Sequence, residues 1–187
     1  MPKIVDHDAR RRHASHALWQ VLSRDGIDAV SMRAVAAEAG MKPSTLQHYF
    51  VDRAQMLSHS LELVIEQQKA RLESAALPAV PVELVYALWR HTLPLDKERL
   101  LECEVWLAAT ISLKDPKTRT VLDSADRALN ELCEWSIDVL GGTDVDVRAL
   151  RLFTDGLVLN AVCHPDRFDS QQQTSALDSF LDGIRQR

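Results

Sequence analysis

Hydrophobic residues recur every three or four positions along nearly the whole chain. Ala14, Ala17, Leu18, Val21 and Leu22 share one face of a predicted helix over residues 8–25. The same period returns in each later segment, and Gly and Pro residues separate the segments. Alternating strand patterns bounded by hairpin turns are absent from the sequence. The pattern predicts an all-α fold of about nine helices.

The stretch 30–50, VSMRAVAAEAGMKPSTLQHYF, predicts two short helices joined by a tight turn. Ser31 is suited to cap the first helix, because its hydroxyl can accept a backbone N–H. Gly40 ends that helix, since glycine readily adopts the left-handed conformation of a sharp turn. Pro43 suits the first turn of the second helix, whose inner face carries Leu46 and Phe50.

The second short helix presents polar side chains outward. They are Lys42, Ser44, Thr45, Gln47, His48 and Tyr49. Such groups donate hydrogen bonds to phosphates and read base edges in the major groove. This arrangement predicts a helix-turn-helix whose second helix reads DNA.

Charge is distributed unevenly along the chain. The net charge is −5 overall, but residues 1–56 carry eight Lys or Arg against six Asp or Glu, a net charge of +2. The remaining residues carry −7. A mildly basic head joined to an acidic body fits a small DNA-reading domain followed by a domain of another kind.

Two further groups of cations are candidates for phosphate contacts. Asp52 and Gln55 have capping-box spacing and open a long predicted helix that ends near residue 74. Arg53 lies in its first turn, where it opposes the helix dipole, and a DNA phosphate would compensate it. Residues 10–12 are three successive arginines, for which a solvated cluster and phosphate contact both remain open.

Other functional classes lack the motifs that they require. The seven histidines form no HExxH, and neither a GxSxG elbow nor a phosphate-binding glycine loop occurs, so we expect no catalytic residues. Glu102 and Glu104 are two residues apart, point in different directions on a helix, and are expected at the surface. We also expect no metal and no cofactor.

Cysteine usage and hydropathy bear on the cellular compartment. Cys103, Cys133 and Cys163 are widely spaced and form no CxxC, so disulfides and zinc are not expected. We expect buried thiols in a reducing cytoplasm. No apolar stretch approaches the roughly 20 residues that span a bilayer, so we expect no membrane association.

The first 50 residues or so resemble the DNA-binding domain of the TetR family of transcriptional regulators. The resemblance is carried by Ala17-Leu18 and Val21-Leu22 before Gly26, by SMRAVAAEAGMKPSTLQHYF, and then by Asp52-Arg53 and Met56-Leu57. More weakly, LPLDKERLLECEVWLAA (93–109) and LRLFTDGLVLNAVCHPDRF (150–168) resemble a BetI-type regulatory domain.

The resemblance implies a homodimer with a three-helix DNA-binding head over residues 8–57 and a six-helix body over residues 58–187. The body would bind a small effector and thereby lower the affinity for a double-stranded DNA operator. The implied DNA-binding residues are Ser31, Arg33, Lys42, Pro43, Ser44, Thr45, Gln47, His48, Tyr49 and Arg53.

Three positions of the head are informative when set beside the family pattern. Lys42 stands where members often have a serine that caps the second helix. Its side chain cannot cap the helix, but it provides a positive charge that can reach a phosphate. Gln47 replaces a common tyrosine and can pair with adenine. Arg53 stands where lysine is most frequent.

A pocket for the effector is predicted from large, soft or isolated polar residues on inner helix faces, although plain core is the alternative for each. They are Trp89, Cys103, Trp106, Leu107, Trp135, Phe153 and Asn160. Asn160 is the strongest candidate for a ligand contact, because a buried amide needs hydrogen-bond partners. An apolar or amphipathic effector with little charge would suit such a cavity.

The last two predicted helices carry apolar stripes that exceed what one body needs. An exposed stripe of this kind predicts a two-fold dimer interface. Its residues would be Leu150, Thr154, Leu157, Val158, Ala161, Leu177, Phe180, Leu181 and Ile184. The long helix that starts near Asp52 would couple head and body.

The predicted function is therefore a sequence-specific transcriptional regulator, and repression is the commoner mode in such proteins. A helical protein-interaction module without DNA binding is the alternative.

Overall fold

The chain is built from α-helices. The computed structural model describes residues 7–111 and 116–187, apart from the side chain of Lys117. Within these ranges the helices are α1 (His7–Asp25), α2 (Met32–Glu38), α3 (Pro43–Gln47), α4 (Arg53–Ser74), α5 (Pro81–Thr92), α6 (Lys97–Ile111), α7 (Pro116–Leu140), α8 (Asp144–Cys163) and α9 (Ser170–Arg185). A 3-10 turn, Ile27–Ala29, precedes α2. The all-α prediction is confirmed.

Helix ends follow local chemistry. The Ser31 hydroxyl accepts the N–H of Ala34 at 3.1 Å and caps α2. The Asp52 carboxylate accepts the N–H of Gln55 at 2.8 Å at the start of α4. Because proline lacks a backbone N–H, it suits the first position of a helix, and it opens α3, α5 and α7.

The chain divides into two compact units that do not coincide with the sequence-based boundary at residue 57. The first unit contains the chain up to Gln67 together with Glu104–Leu122, and the second contains Gln68–Cys103 and Asp123–Arg187. Helices α4, α6 and α7 therefore each contribute residues to both units.

The first unit has an apolar interior. From α1 to the first half of α4, Leu18, Val35, Leu46, Phe50 and Leu57 are at most 2% exposed. Leu61, Ala109 and Leu122 form a smaller buried cluster between α4, α6 and α7. This interior holds α2 and α3 in place.

The second unit has a separate core. Four helices, α5, α7, α8 and α9, supply its buried side chains, which include Val85, Trp89, Cys133, Ile137, Leu150, Leu157, Leu177, Leu181 and Ile184. The Trp89 indole Nε1 donates a hydrogen bond of 2.9 Å to the Ser136 hydroxyl, so this buried polar group is satisfied. Among the described helices none combines the length and apolarity needed to cross a membrane.

Candidate nucleic-acid interface and regulatory region

The turn between α2 and α3 has the geometry of a helix-turn-helix. Gly40 has a φ of +61°, in the left-handed region that favours glycine. The N–H of Met41 returns to the Ala36 carbonyl at 2.8 Å and closes the end of α2. Leu46, fully buried, anchors α3 from beneath. Helical hydrogen bonding continues past α3, because Tyr49 N and Phe50 N both bond to the Leu46 carbonyl.

The predicted reading residues lie at the surface. Those classed as exposed are Ser31, Arg33, Lys42, Pro43, Ser44, Gln47 and His48, and Thr45 and Tyr49 are half-buried. Within the described ranges neither Arg33 nor Lys42 has a hydrogen-bond or ion-pair partner. Lys42 makes no side-chain cap to α3, as predicted. Two uncommitted cations therefore accompany an amide, an imidazole and a phenol on this surface.

Side chains of α1 and α4 brace this surface from behind. His13 Nε2 donates to the Ala39 carbonyl at 3.0 Å and holds the end of α2 against α1. Ser15 Oγ and His59 Nδ1 lie 2.9 Å apart. Neither contact was predicted from the sequence, because residues 26 and 44 positions apart in the chain leave no local signal.

The arginines of α1 have different environments. The Arg11 guanidinium lies 5.2 Å from the centroid of the Phe50 ring, and Arg12 forms an exposed ion pair of 3.0 Å with Glu66. Arg10 is exposed and has no partner among the described residues. Of the three, Arg10 is the one whose charge is uncommitted.

Arg53 is half-buried and points inward. Its Nη2 donates to the Ile27 carbonyl at 2.7 Å, and its Nε is buried without a partner. The dipole-opposing charge at the start of α4 is thus compensated by a backbone carbonyl within the protein.

The residues proposed for the pocket do not converge on one cavity in the second unit. Trp89 is core, Cys103 is buried, and Phe153 stacks on Phe180 with ring centroids 4.2 Å apart. Trp135 is exposed at 36%, and Asn160 is exposed and donates to the Gly156 carbonyl of its own helix at 2.9 Å. Asn160 therefore does not need a ligand to satisfy its amide. Trp106 and Leu107 belong to the first unit, where both are half-buried.

A groove of about 400 Å³ lies between α5 and α9 in the second unit. Its lining is Pro78, Val82, Glu83, Tyr86, Ala87, Arg90, Asp182 and Arg185, none of which was predicted. Burial, with a hydrogen bond to Asp182, raises the pKa of Tyr86 to about 12, so its phenol stays protonated.

Most of the predicted dimer residues are used inside the protomer, which corrects that prediction. Those at most 7% exposed are Leu150, Thr154, Leu157, Ala161, Leu177, Leu181 and Ile184, while Val158 and Phe180 are half-buried. Periodicity identifies an apolar face but does not reveal which helix covers it. The exposed apolar side chains of α8 are Val145, Leu152 and Leu159, at 64%, 73% and 50%.

Two expectations about individual polar residues are also wrong. Glu102, expected at the surface, is 1% exposed, because Arg71 and Gln68 of α4 approach it. Cys163 is exposed, whereas Cys103 and Cys133 are buried as expected. Burial raises the pKa of the Cys133 thiol to about 11.

The fold and the exposed face of α2 and α3 define a helix-turn-helix DNA-binding protein. Residues 16–59 match the profile of bacterial regulatory proteins of the TetR family, and residues 81–186 match the C-terminal profile of BetI-type transcriptional repressors. The chain belongs to the TetR family and is a DNA-binding transcriptional regulator.

Known proteins resemble the chain over nearly its full length. The transcriptional regulator PksA of Bacillus subtilis (strain 168) is 31% identical over 192 residues, which cover 98% of this chain and 94% of PksA. A transcriptional regulator from Rhodococcus sp. Rha1 superposes with a TM-score of 0.78 at 25% identity, covering 94% of this chain and 96% of that one.

A third likeness is to a regulator that was crystallised with a small molecule. The protein, from Saccharomonospora viridis, is in complex with choline and has a TM-score of 0.73 at 22% identity, covering 94% and 96%. At 22% identity, this similarity shows that the two proteins share a fold.

Proposed function

We propose that this regulator is a homodimeric repressor that leaves its operator when a small apolar or amphipathic effector binds. The DNA-binding face is proposed from two exposed cations, Arg33 and Lys42, which lie beside the polar surface of α3. A guanidinium and an ammonium that have no partner among the described residues suit phosphate oxygens. We propose this role in preference to an enzymatic one.

The proposed roles divide between backbone and bases. Ser31, Arg33, Lys42 and Tyr49 contact phosphates, and Pro43 sets the start of α3. Gln47 reads a base through its amide, which can pair with N6 and N7 of adenine. Ser44, Thr45 and His48 supply further hydrogen bonds to the groove.

The proposal is tested by selecting operators from random duplexes with the purified protein and measuring affinity by gel shift. Arg33→Ala should weaken binding to the selected sequence and flatten the slope of log affinity against log salt by about 0.9. Arg127→Ala is the matched control, because Arg127 is also exposed and lies on α7 in the second unit. It should leave affinity and slope unchanged.

Two outcomes would count against the assignment. If no sequence is enriched, a helical interaction module without DNA binding becomes the better interpretation. If a sequence is enriched but Arg33→Ala and Arg127→Ala behave alike, DNA is read by another surface.

The homodimer is proposed from the outer face of α8. Val145, Leu152 and Leu159 are seven residues apart, so they form one stripe along the helix, and each is at least half exposed. An apolar stripe of this spacing is stabilised by packing against a second copy. A two-fold pair of heads would then meet two half-sites.

The effector class is proposed from the chemistry of the second unit. Its core is aliphatic and aromatic, and its buried carboxylates are already bonded, Glu102 to Arg71 and Asp146 to Thr143 and Arg187. A ligand with little charge therefore meets lower desolvation costs than an ion would. The choline complex of the Saccharomonospora viridis protein supports a small molecule as the effector.

A further inference from the structure

We propose that Arg53 is a positioning residue that sets the pose of the helix-turn-helix, and that it does not itself neutralise a DNA phosphate. The inference rests on the proposed DNA-binding face. The observation behind it is the hydrogen bond of 2.7 Å from Arg53 Nη2 to the Ile27 carbonyl. This bond joins the first turn of α4 to the 3-10 turn that leads into α2.

The guanidinium is committed to the protein interior. Arg53 is half-buried, and its Nε atom is shielded from solvent. Arg33 and Lys42, by contrast, are exposed and lack partners within the described ranges. The bond from Arg53 Nη2 to the Ile27 carbonyl is charge-assisted, and such bonds are about twice as strong as neutral ones, so it holds the guanidinium toward the 3-10 turn.

Both ends of this contact are held by local hydrogen bonds. On the α4 side, Gln55 N donates to the Asp52 carboxylate at 2.8 Å, and Val51 N donates to the Gln55 side chain at 2.7 Å. On the other side, the Ile27 carbonyl also accepts the N–H of Val30 at 3.2 Å. The bond from Arg53 therefore links two turns that each have their own hydrogen bonds.

The linked turn lies directly before the DNA-binding face. Val30 follows the 3-10 turn, Ser31 caps α2, and Arg33 lies within the first turn of α2. A change in the 3-10 turn therefore moves Ser31 and Arg33 relative to α4. Since reading a base demands close geometry, this contact affects specific binding more than general attraction to DNA.

The experiment measures affinity for the selected operator and for a random duplex, each across a range of salt concentrations. Arg53→Met, which keeps an unbranched stem but has no charge and no donor, should weaken operator binding about tenfold, the typical effect of losing one charged hydrogen bond. Its affinity for the random duplex and the salt slope there should match the wild type. The specificity ratio should fall by the same factor.

Two further variants sharpen the result. Arg33→Met is the positive control for a phosphate contact. It should weaken binding to both duplexes and flatten both slopes of log affinity against log salt by about 0.9. Arg53→Lys keeps the charge, but its shorter side chain has no donor at the position of the arginine Nη2. It should therefore lose operator affinity as Arg53→Met does. Circular dichroism and the melting temperature check that each variant is folded.

The inference is overturned if Arg53→Met weakens binding to both duplexes equally and Arg53→Lys restores that binding. Arg53 would then be a phosphate contact. The inference also fails if Arg53→Met keeps the wild-type specificity ratio. A wild-type protein that does not distinguish operator from random duplex would instead refute the proposed function.

Discussion

The Arg71 guanidinium binds both oxygens of the buried Glu102 carboxylate, at 3.0 and 2.6 Å, and joins α4 to α6. Glu102 is 1% exposed and Arg71 is 22% exposed, so removing either partner leaves a poorly solvated charge. Breaking such a pair costs more than the pair contributes, because desolvation of the remaining ion is no longer offset.

Arg71→Met should lower the free energy of unfolding by about 3 kcal/mol, as judged by urea denaturation. Arg71→Met combined with Glu102→Met should recover much of that loss, because no buried charge remains. Lys69→Met is the control on the same helix, since its ion pair with Glu73 is exposed at 3.8 Å. It should change stability by less than about 0.5 kcal/mol, and an equal effect of Lys69→Met and Arg71→Met would contradict the account.

Gln47→Ala should relax the preference at one operator position by about 1–3 kcal/mol, because the bidentate amide contact is lost. The measurement is gel shift with duplexes that carry each base at every position of the selected operator. The salt slope should stay the same, since an amide carries no charge. A uniform loss across all duplexes would show that Gln47 does not read a base.

Leu152→Lys should convert the proposed dimer to monomers in sedimentation experiments, because it places a charge in the α8 stripe. Operator affinity should fall with it, since the two half-sites are no longer bound together. Val80→Lys is the control, because Val80 is also exposed (51%) but lies before α5. A dimer that survives Leu152→Lys would exclude this face as the interface.

Uncharged amphipathic compounds should raise the melting temperature of the protein and reduce its operator binding, because a ligand of the folded state stabilises that state. A thermal-shift screen that includes choline and ethidium tests the effector class against permanent cations. Stabilisation by the cations alone would contradict the proposal that the effector carries little charge.

Acid should remove the contribution of Asp146 to stability. The N–H and hydroxyl of Thr143, at 2.9 and 2.8 Å, and then Arg187 hold the pKa of Asp146 below its usual 3.8. Because the folded pKa is depressed, this stability is fully present above pH 3.8 and is lost as the pH falls through the folded value. The difference in unfolding free energy between wild type and Asp146→Asn should therefore shrink below pH 3.8, and a constant difference would refute it.

The sequence by itself determined the local features of this protein. Ser31, Gly40 and Pro43 act through bonds to near neighbours or through their own backbone preferences, so the helix-turn-helix followed from residue types and spacing. The exposure of Arg33, Lys42 and Gln47 followed as well, because periodicity separates the outer face of a short helix from its inner face.

Only the tertiary structure decided which distant residues meet. Leu150, Leu177 and Ile184 belong to apolar stripes that read equally well as core or interface, and the packing of α5, α7, α8 and α9 made them core. Glu102 is buried because Arg71 approaches it, and Arg53 bonds to the Ile27 carbonyl. In both cases the partner is more than 20 residues away in the chain. Periodicity shows which side of a helix is apolar, whereas burial depends on the element that covers it.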